Sequence, residues 1–297
     1  MSHIIRSVSY AGWKDCIQIS NSVFEAIITT DVGPRIIRYS QVNGPNMLWI
    51  NEYTAGQTEE TKTWRAYGGH SFDAVIDGTE FLPPENTPVK YQLTADSIVF
   101  DAIRQGPIIK DISIRMCRRG GLEICQKITN LSQNVISASV NGNTLLKNSG
   151  TAVLPITSEM QDFSGCRSPY LFRGNKSSLI RHDMTMLNED TVSIRPSALW
   201  CGYFSQGNLF IMTSPFIDGT FPRNSSLSFS SDASKYRMST YSPESVLNPG
   251  ESVEHTEVWN IFTGFPQPKD SEEAEKMLSG KRYYYDFIKM PVKGLDF

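Results

Sequence analysis

The chain has 297 residues, 39% of them hydrophobic and 20% charged, with a formal net charge of −3. This composition can fill a large core and is not that of a disordered chain. Scattered Lys and Arg in a mildly acidic whole exclude the broad basic field of a nucleic-acid binder. No apolar run approaches the ~20 residues of a membrane helix. The start, Met1-Ser2-His3-Ile4-Ile5-Arg6, lacks the basic and apolar regions of a secretory signal. The expectation is a cytoplasmic protein with no membrane partner, folded as a single domain over 1–297, because all-β units often reach this length. The five cysteines, Cys16, Cys117, Cys125, Cys166 and Cys201, are widely spaced with no Cys-x-x-Cys pair, so free thiols and no metal site are expected.

Short alternating apolar runs broken by Gly, Pro, Asn and Ser predict many antiparallel strands. Residues 16–20 and 24–29 read as strands around an Asn21-Ser22 turn, and 35–39 as another after Gly33-Pro34. Residues 51–88 carry few apolar runs and read as long loops with brief strands, where function often sits. In 111–118, Ile112, Ile114 and Met116 share one face, and Leu122, Ile124 and Ile128 continue the alternation beyond Gly120-Gly121, which makes a hairpin. A second hairpin joins 200–204 to 209–213 through Ser205-Gln206-Gly207-Asn208. Asp270 followed by Glu273 is a capping box for a short C-terminal helix through about Leu278, with Gly280 placed to stop it.

Several residues could carry chemistry. His70 follows two glycines that let the chain turn tightly, which would project the imidazole into a cleft; a histidine bonded inside a loop is the alternative. If 253–262 is a strand, Val253, His255, Glu257, Trp259 and Ile261 share a face, bringing an imidazole, a carboxylate and an indole together. An indole can stack on the apolar surface of a sugar; a polar cross-strand pair beside a core Trp is the alternative. Arg35 and Arg38 are expected on opposite faces of their strand, and Arg38 or Arg65, the latter beside Trp64 and Tyr67, could hold ligand oxygens. Glu85 and Asn86 stand between prolines and could present rigid polar groups at a cleft mouth or simply stabilise the turn. No phosphate loop, nucleotide motif or serine elbow occurs, so no cofactor is expected.

Four segments together resemble the galactose mutarotase-like superfamily: FEAIITTDVGPRIIRY at 24–39, WRAYGGHSFD at 64–73 with PENTPV at 84–89, GTAVLPI at 150–156, and LNPGESVEHTEVWNIF at 247–262. They span most of the chain in the expected order. The resemblance implies an antiparallel β-supersandwich that binds a small-molecule carbohydrate. It also implies that His70 occupies the place of the first sugar-facing histidine. In enzymes of the superfamily, histidines protonate or orient the ring oxygen while a carboxylate removes the anomeric proton. Here 130–156 holds no second histidine, and KYRMSTYSPES stands where a catalytic glutamate is expected, with Glu244 near but after Pro243. The expected activity is aldose 1-epimerase-like anomer exchange with His70 as acid and Glu257 or Glu244 as base. The alternatives are a noncatalytic carbohydrate-binding module using Trp64, Tyr67 and Trp259 as its stacking surface, and a lyase or isomerase that neutralises an acidic sugar with Arg38 or Arg65.

Overall fold

Alternation of apolar and polar side chains drives almost every element of this computed structural model. It describes residues 3–58, 65–82, 84–117, 121–155, 171–173, 177–181, 192–194, 200–215, 217–231 and 234–279. The chain begins with β1 (Ile4–Tyr10), β2 (Trp13–Ser20), β3 (Phe24–Thr29), β4 (Arg35–Gln41), β5 (His70–Ile76) and β6 (Thr79–Phe81). It continues with β7 (Tyr91–Leu93), β8 (Ser97–Phe100), β9 (Ile103–Gln105), β10 (Ile108–Met116), β11 (Leu122–Asn130), β12 (Ile136–Lys147) and β13 (Thr151–Pro155). Next come β14 (Leu171–Arg173), β15 (Ser177–Arg181), β16 (Val192–Ile194), β17 (Trp200–Ser205), β18 (Asn208–Thr213) and β19 (Leu227–Ser231). The last elements are β20 (Lys235–Tyr241), β21 (Ser245–Leu247), β22 (Ser252–Thr263) and the helix α1 (Ser271–Ser279).

The described strands form two 11-stranded sheets. The first runs β1-β2-β3-β4-β5-β12-β20-β19-β16, with β6 on β5 and β21 on β12. The second runs β14-β15-β13-β17-β18-β22-β11-β10-β8-β7, with β9 on β10. Every strand pair is antiparallel. The facing residues of both sheets, among them Ile28, Tyr39 and Phe72 from the first and Ile114, Ile124 and Trp259 from the second, make one core. Each such side chain stabilises the fold by about 1.5–3 kcal/mol. The described helix caps a smaller cluster, Ala274 and Leu278 packing with Phe204 and Phe265. No described helix is long and apolar enough to cross a membrane.

Both expected hairpins are present, as β10–β11 and β17–β18. So is the meander β2-β3-β4. Residues 51–88 differ from expectation, because β5 is a seven-residue strand buried along six of its seven positions. Its run His-Ser-Phe-Asp-Ala-Val alternates too weakly in hydrophobicity to reveal a strand covered on both faces.

A bulge in β4 overturns a second expectation. Ile28 pairs with Ile36 but Ile27 with Arg38, leaving Ile37 as the extra residue. Ile36 and Tyr39 therefore both enter the main core. Arg35 and Arg38, expected on opposite faces, lie on the same outward face of the first sheet, since one extra residue reverses the alternation beyond it.

Candidate functional site

Two polar groups of residues stand on opposite sides of β5, β12 and β20. The first lies between the sheets. β22 delivers His255, Glu257 and Trp259 on one face, as the period-two pattern requires, and all three are buried. His70 enters from β5, directly opposite Thr144 of β12. The two glycines before it are required by close packing, for at Gly69 (φ +70°) a Cβ would stand 2.2 Å from the Ile36 carbonyl oxygen. The turn points the imidazole inward rather than into an open cleft, and His70 is 0% exposed.

The Thr240 hydroxyl donates to Glu257 Oε1 at 2.5 Å and lies 2.8 Å from His255 Nε2. A hydroxyl has one proton, and the carboxylate can only accept. His255 must therefore carry its proton on Nε2 and donate to Thr240. Trp259 Nε1 donates to Glu257 Oε2 at 2.7 Å, and the Trp259 ring meets the edge of His70 at 4.9 Å. His70 Nδ1 is 2.9 Å from the Thr144 hydroxyl and its Nε2 is 3.3 Å from the Gln126 amide nitrogen. That amide donates to Nε2, which puts the His70 proton on Nδ1.

Burial pushes His255 down to about 4, against the pull of Glu257. Burial likewise lowers His70. Burial alone would raise Glu257, but the two imidazoles and the donors Thr240 and Trp259 outweigh it and hold the carboxyl below its usual range. The result is a buried, ionised carboxylate flanked by neutral histidines. Gly142 makes room for it, since a Cβ there would lie 2.2 Å from Glu257 Oε1.

The second group lies on the outward face of the first sheet. Phe72, Ala74, Val140 and Met238 belong to the core, so alternation turns Ser71 and Asp73, Asn141 and Asn143, and Ser239 and Tyr241 the other way. Ser239 donates to Asn143 Oδ1 at 2.8 Å, and Asn143 Nδ2 donates to Asp73 Oδ2 at 3.1 Å. Asn141, paired in register with Asp73, has a buried Oδ1 without a hydrogen-bond partner.

Beyond Asp73 lies a balanced group of charges. Arg35 reaches Glu85 at 3.0 Å and the Gly68 carbonyl at 3.0 Å. Lys110 bonds Glu85, lies 3.6 Å from Asp73 and sits 4.5 Å above the Phe72 ring. Burial raises Asp73 despite the opposing pull of Lys110. Asp73 and Ser239 are buried and only Asn143 of the lattice is half-buried, whereas His70 and Glu257 have no exposed surface at all.

The sequence-expected residues thus separate. His70, Glu257, His255 and Trp259 come together, enclosed. Glu244 is exposed in the connection between β20 and β21. Arg38 binds Glu25 at 2.7 Å and the Gly44 carbonyl at 2.6 Å. Arg65 bonds Gln57 at 2.7 Å. Tyr67 is buried against Trp13 at 6.1 Å in a satellite cluster, so its ring is no open stacking surface. Glu85 joins the charge group, and Asn86 is buried beside it in sequence. Trp64 lies outside the described residues.

Sequence reasoning missed Asp73, Asn143 and Ser239. It also missed Trp49, a half-buried indole with the Lys235 ammonium 4.9 Å from its centre. Among the described residues no cluster of His, Cys, Asp and Glu is placed to hold a metal ion.

Solved structures share this architecture. A galactose mutarotase-like protein from Lactobacillus casei superimposes with a TM-score of 0.56 at 11% identity, covering 83% of this chain and all (100%) of its own. A putative aldose 1-epimerase from Escherichia coli gives 0.55 at 8% identity, over 88% of this chain and 100% of its own. A TPR-domain containing protein from Parabacteroides distasonis gives 0.59 at 16% identity, over 95% of this chain but only 50% of its own. No protein-family profile and no curated protein matches the sequence. At these identities the likeness defines the fold: the chain is a galactose mutarotase-like β-sandwich.

Proposed function

We propose that this protein binds a carbohydrate on the outward face of β5, β12 and β20. The observation that carries the reading is the lattice Asp73–Asn143–Ser239. It aligns a carboxylate, an amide and a hydroxyl across three strands, with Asn143 half-buried at its centre and the Asn141 side-chain oxygen on the same face left without a hydrogen-bond partner. The half-exposed Trp49 supplies an apolar ring on the same sheet for stacking against sugar C–H groups. The fold supports the reading by likeness to a putative aldose 1-epimerase and to mutarotase-like proteins.

A second reading, aldose 1-epimerase-like anomer exchange by His70 and Glu257, is favoured by one observation. His255 is linked to the ionised Glu257 through the Thr240 hydroxyl, and His70 packs against Trp259, whose indole bonds the same carboxylate, which brings imidazole and carboxylate together as acid–base catalysis needs. It requires the sheets to part, because neither His70 nor Glu257 has any exposed surface.

Saturation-transfer NMR against a panel of neutral and acidic sugars, read together with magnetisation exchange between α and β anomers, tests both readings. Binding that Asn143→Ala abolishes, without anomer exchange, is the expected result. Exchange that vanishes in His70→Ala would instead establish the epimerase. Absence of binding by every sugar would overturn both.

A further inference from the structure

The connection from β18 to β19 crosses from the second sheet to the first. Behind it lies a cavity of about 20 Å³. Cys201 and Met212 line it from the second sheet, Leu227 and Thr240 from the first, and Pro215 and Phe221 from the connection itself. That volume is room for about one water molecule. Thr240 is the residue whose hydroxyl bonds both Glu257 and His255, so the cavity wall stands one side chain away from the enclosed carboxylate. A hydroxyl oxygen has one proton and two lone pairs. Thr240 donates to Glu257 and accepts from His255, which leaves it a second lone pair for a further donor.

The connection is lightly held. Ile217, Asp218, Gly219 and Thr220 are exposed, as are Arg223 and Asn224. Arg223 and Asn224 both take φ +55°, a left-handed conformation that is unfavourable for a residue with a Cβ. The Thr220 carbonyl accepts the Glu244 N–H at 2.7 Å, and the Arg223 guanidinium lies 3.5 Å from the Glu80 carboxylate of β6. An exposed ion pair of this kind holds weakly. Phe221 is half-buried and puts its side chain against the cavity. Segments with few buried apolar contacts and exposed hydrogen bonds open at low free energy while the rest of a fold stays intact.

We propose that residues 217–226 form a strap that lifts from these anchors and opens the cavity to solvent, so that water reaches Thr240 and, through it, the Glu257–His255 pair. The sheets then part along this margin alone, and the remaining core stays packed. The inference concerns the enclosed network and stands whether or not the outward face binds a sugar. Cys201 supplies a reporter, since it lines the cavity and is 1% exposed. The closed cavity is too small for N-ethylmaleimide, a neutral thiol reagent, so modification of Cys201 reports opening.

The test follows N-ethylmaleimide modification of the full chain by mass spectrometry of the Cys201 peptide, with the urea-unfolded chain giving the intrinsic rate. Well below the unfolding midpoint the Cys201 rate should be nearly independent of urea, as for a local opening. Arg223→Gln should raise it about 2- to 5-fold, and Phe221→Ala about 10-fold or more. Cys16, also buried but on β2 near the other edge of the first sheet, should keep its wild-type rate in both variants. The His255 Nε2 proton, read by NMR, should exchange with water faster by the same factors. A Cys201 rate that climbs with the full urea dependence of global unfolding, or that neither substitution changes, would overturn the inference. Equal acceleration of Cys16 and Cys201 would also overturn it, as a general loosening of the fold. So would faster Cys201 modification with unchanged exchange at His255, because the opening would then stop short of the network.

Discussion

His255 is buried beside Glu257, and that burial makes the protein sensitive to acid. The folded pKa of His255, about 4, lies below the ordinary 6.5. The unfolded chain therefore takes up a proton first, and stability is lost as pH falls from about 6.5 through about 4. The loss from this one residue is about 3 kcal/mol. Glu257, also lowered, adds to the loss at still lower pH, whereas Asp73, raised, works in the opposite direction. Urea denaturation at a series of pH values should show the decline, and His255→Gln should flatten it. A wild-type curve flat between pH 7 and 4 would contradict the enclosed, neutral imidazole.

Gly142 is the other residue on which this interior depends. Its replacement by Ala forces a methyl to within 2.2 Å of Glu257 Oε1 and should destabilise the fold by about 1–3 kcal/mol. Denaturant midpoints measure it. Nothing in the local sequence around Gly142 announces this, because its neighbour is a carboxylate more than a hundred positions away.

Among the elements, the β17–β18 hairpin shows local sequence acting directly. Gln206 and Gly207 both take positive φ, +48° and +77°, the pattern of a two-residue turn that follows the strand twist. Glycine adopts it freely, glutamine does not. Gln206→Asn should therefore raise stability by about 0.5 kcal/mol, seen as a higher melting temperature.

The capping signal at the C-terminal helix was equally legible. Asp270 Oδ1 accepts the Glu273 N–H at 2.8 Å, and Glu273 returns a bond to the Lys269 N–H at 2.6 Å. Asp270→Ala should cost about 1 kcal/mol. The β4 bulge was not legible. The adjacent Ile36 and Ile37 break the alternation, but which of them is the extra residue follows only from how β4 is paired with β3.

For the whole molecule, the sandwich could be read from the many short strands and from the ordered resemblance of four segments. The site could be read only in part. Period two correctly grouped His255, Glu257 and Trp259, but it states which residues share a face and not whether that face meets solvent or the opposing sheet. The lattice Asp73–Asn143–Ser239 joins strands about 70 and 100 positions apart in register, information that no local pattern contains.

The central claim is that the carbohydrate lies on the outward face of the first sheet and not in the enclosed network between the sheets. Side-chain NMR signals report on each location separately. Titrating isotope-labelled protein with the sugar panel should shift the Asn143 amide and the Trp49 indole while leaving the Gln126 amide and the Trp259 indole in place. Shifts concentrated at Gln126 and Trp259 would contradict the account and move the site to the interior.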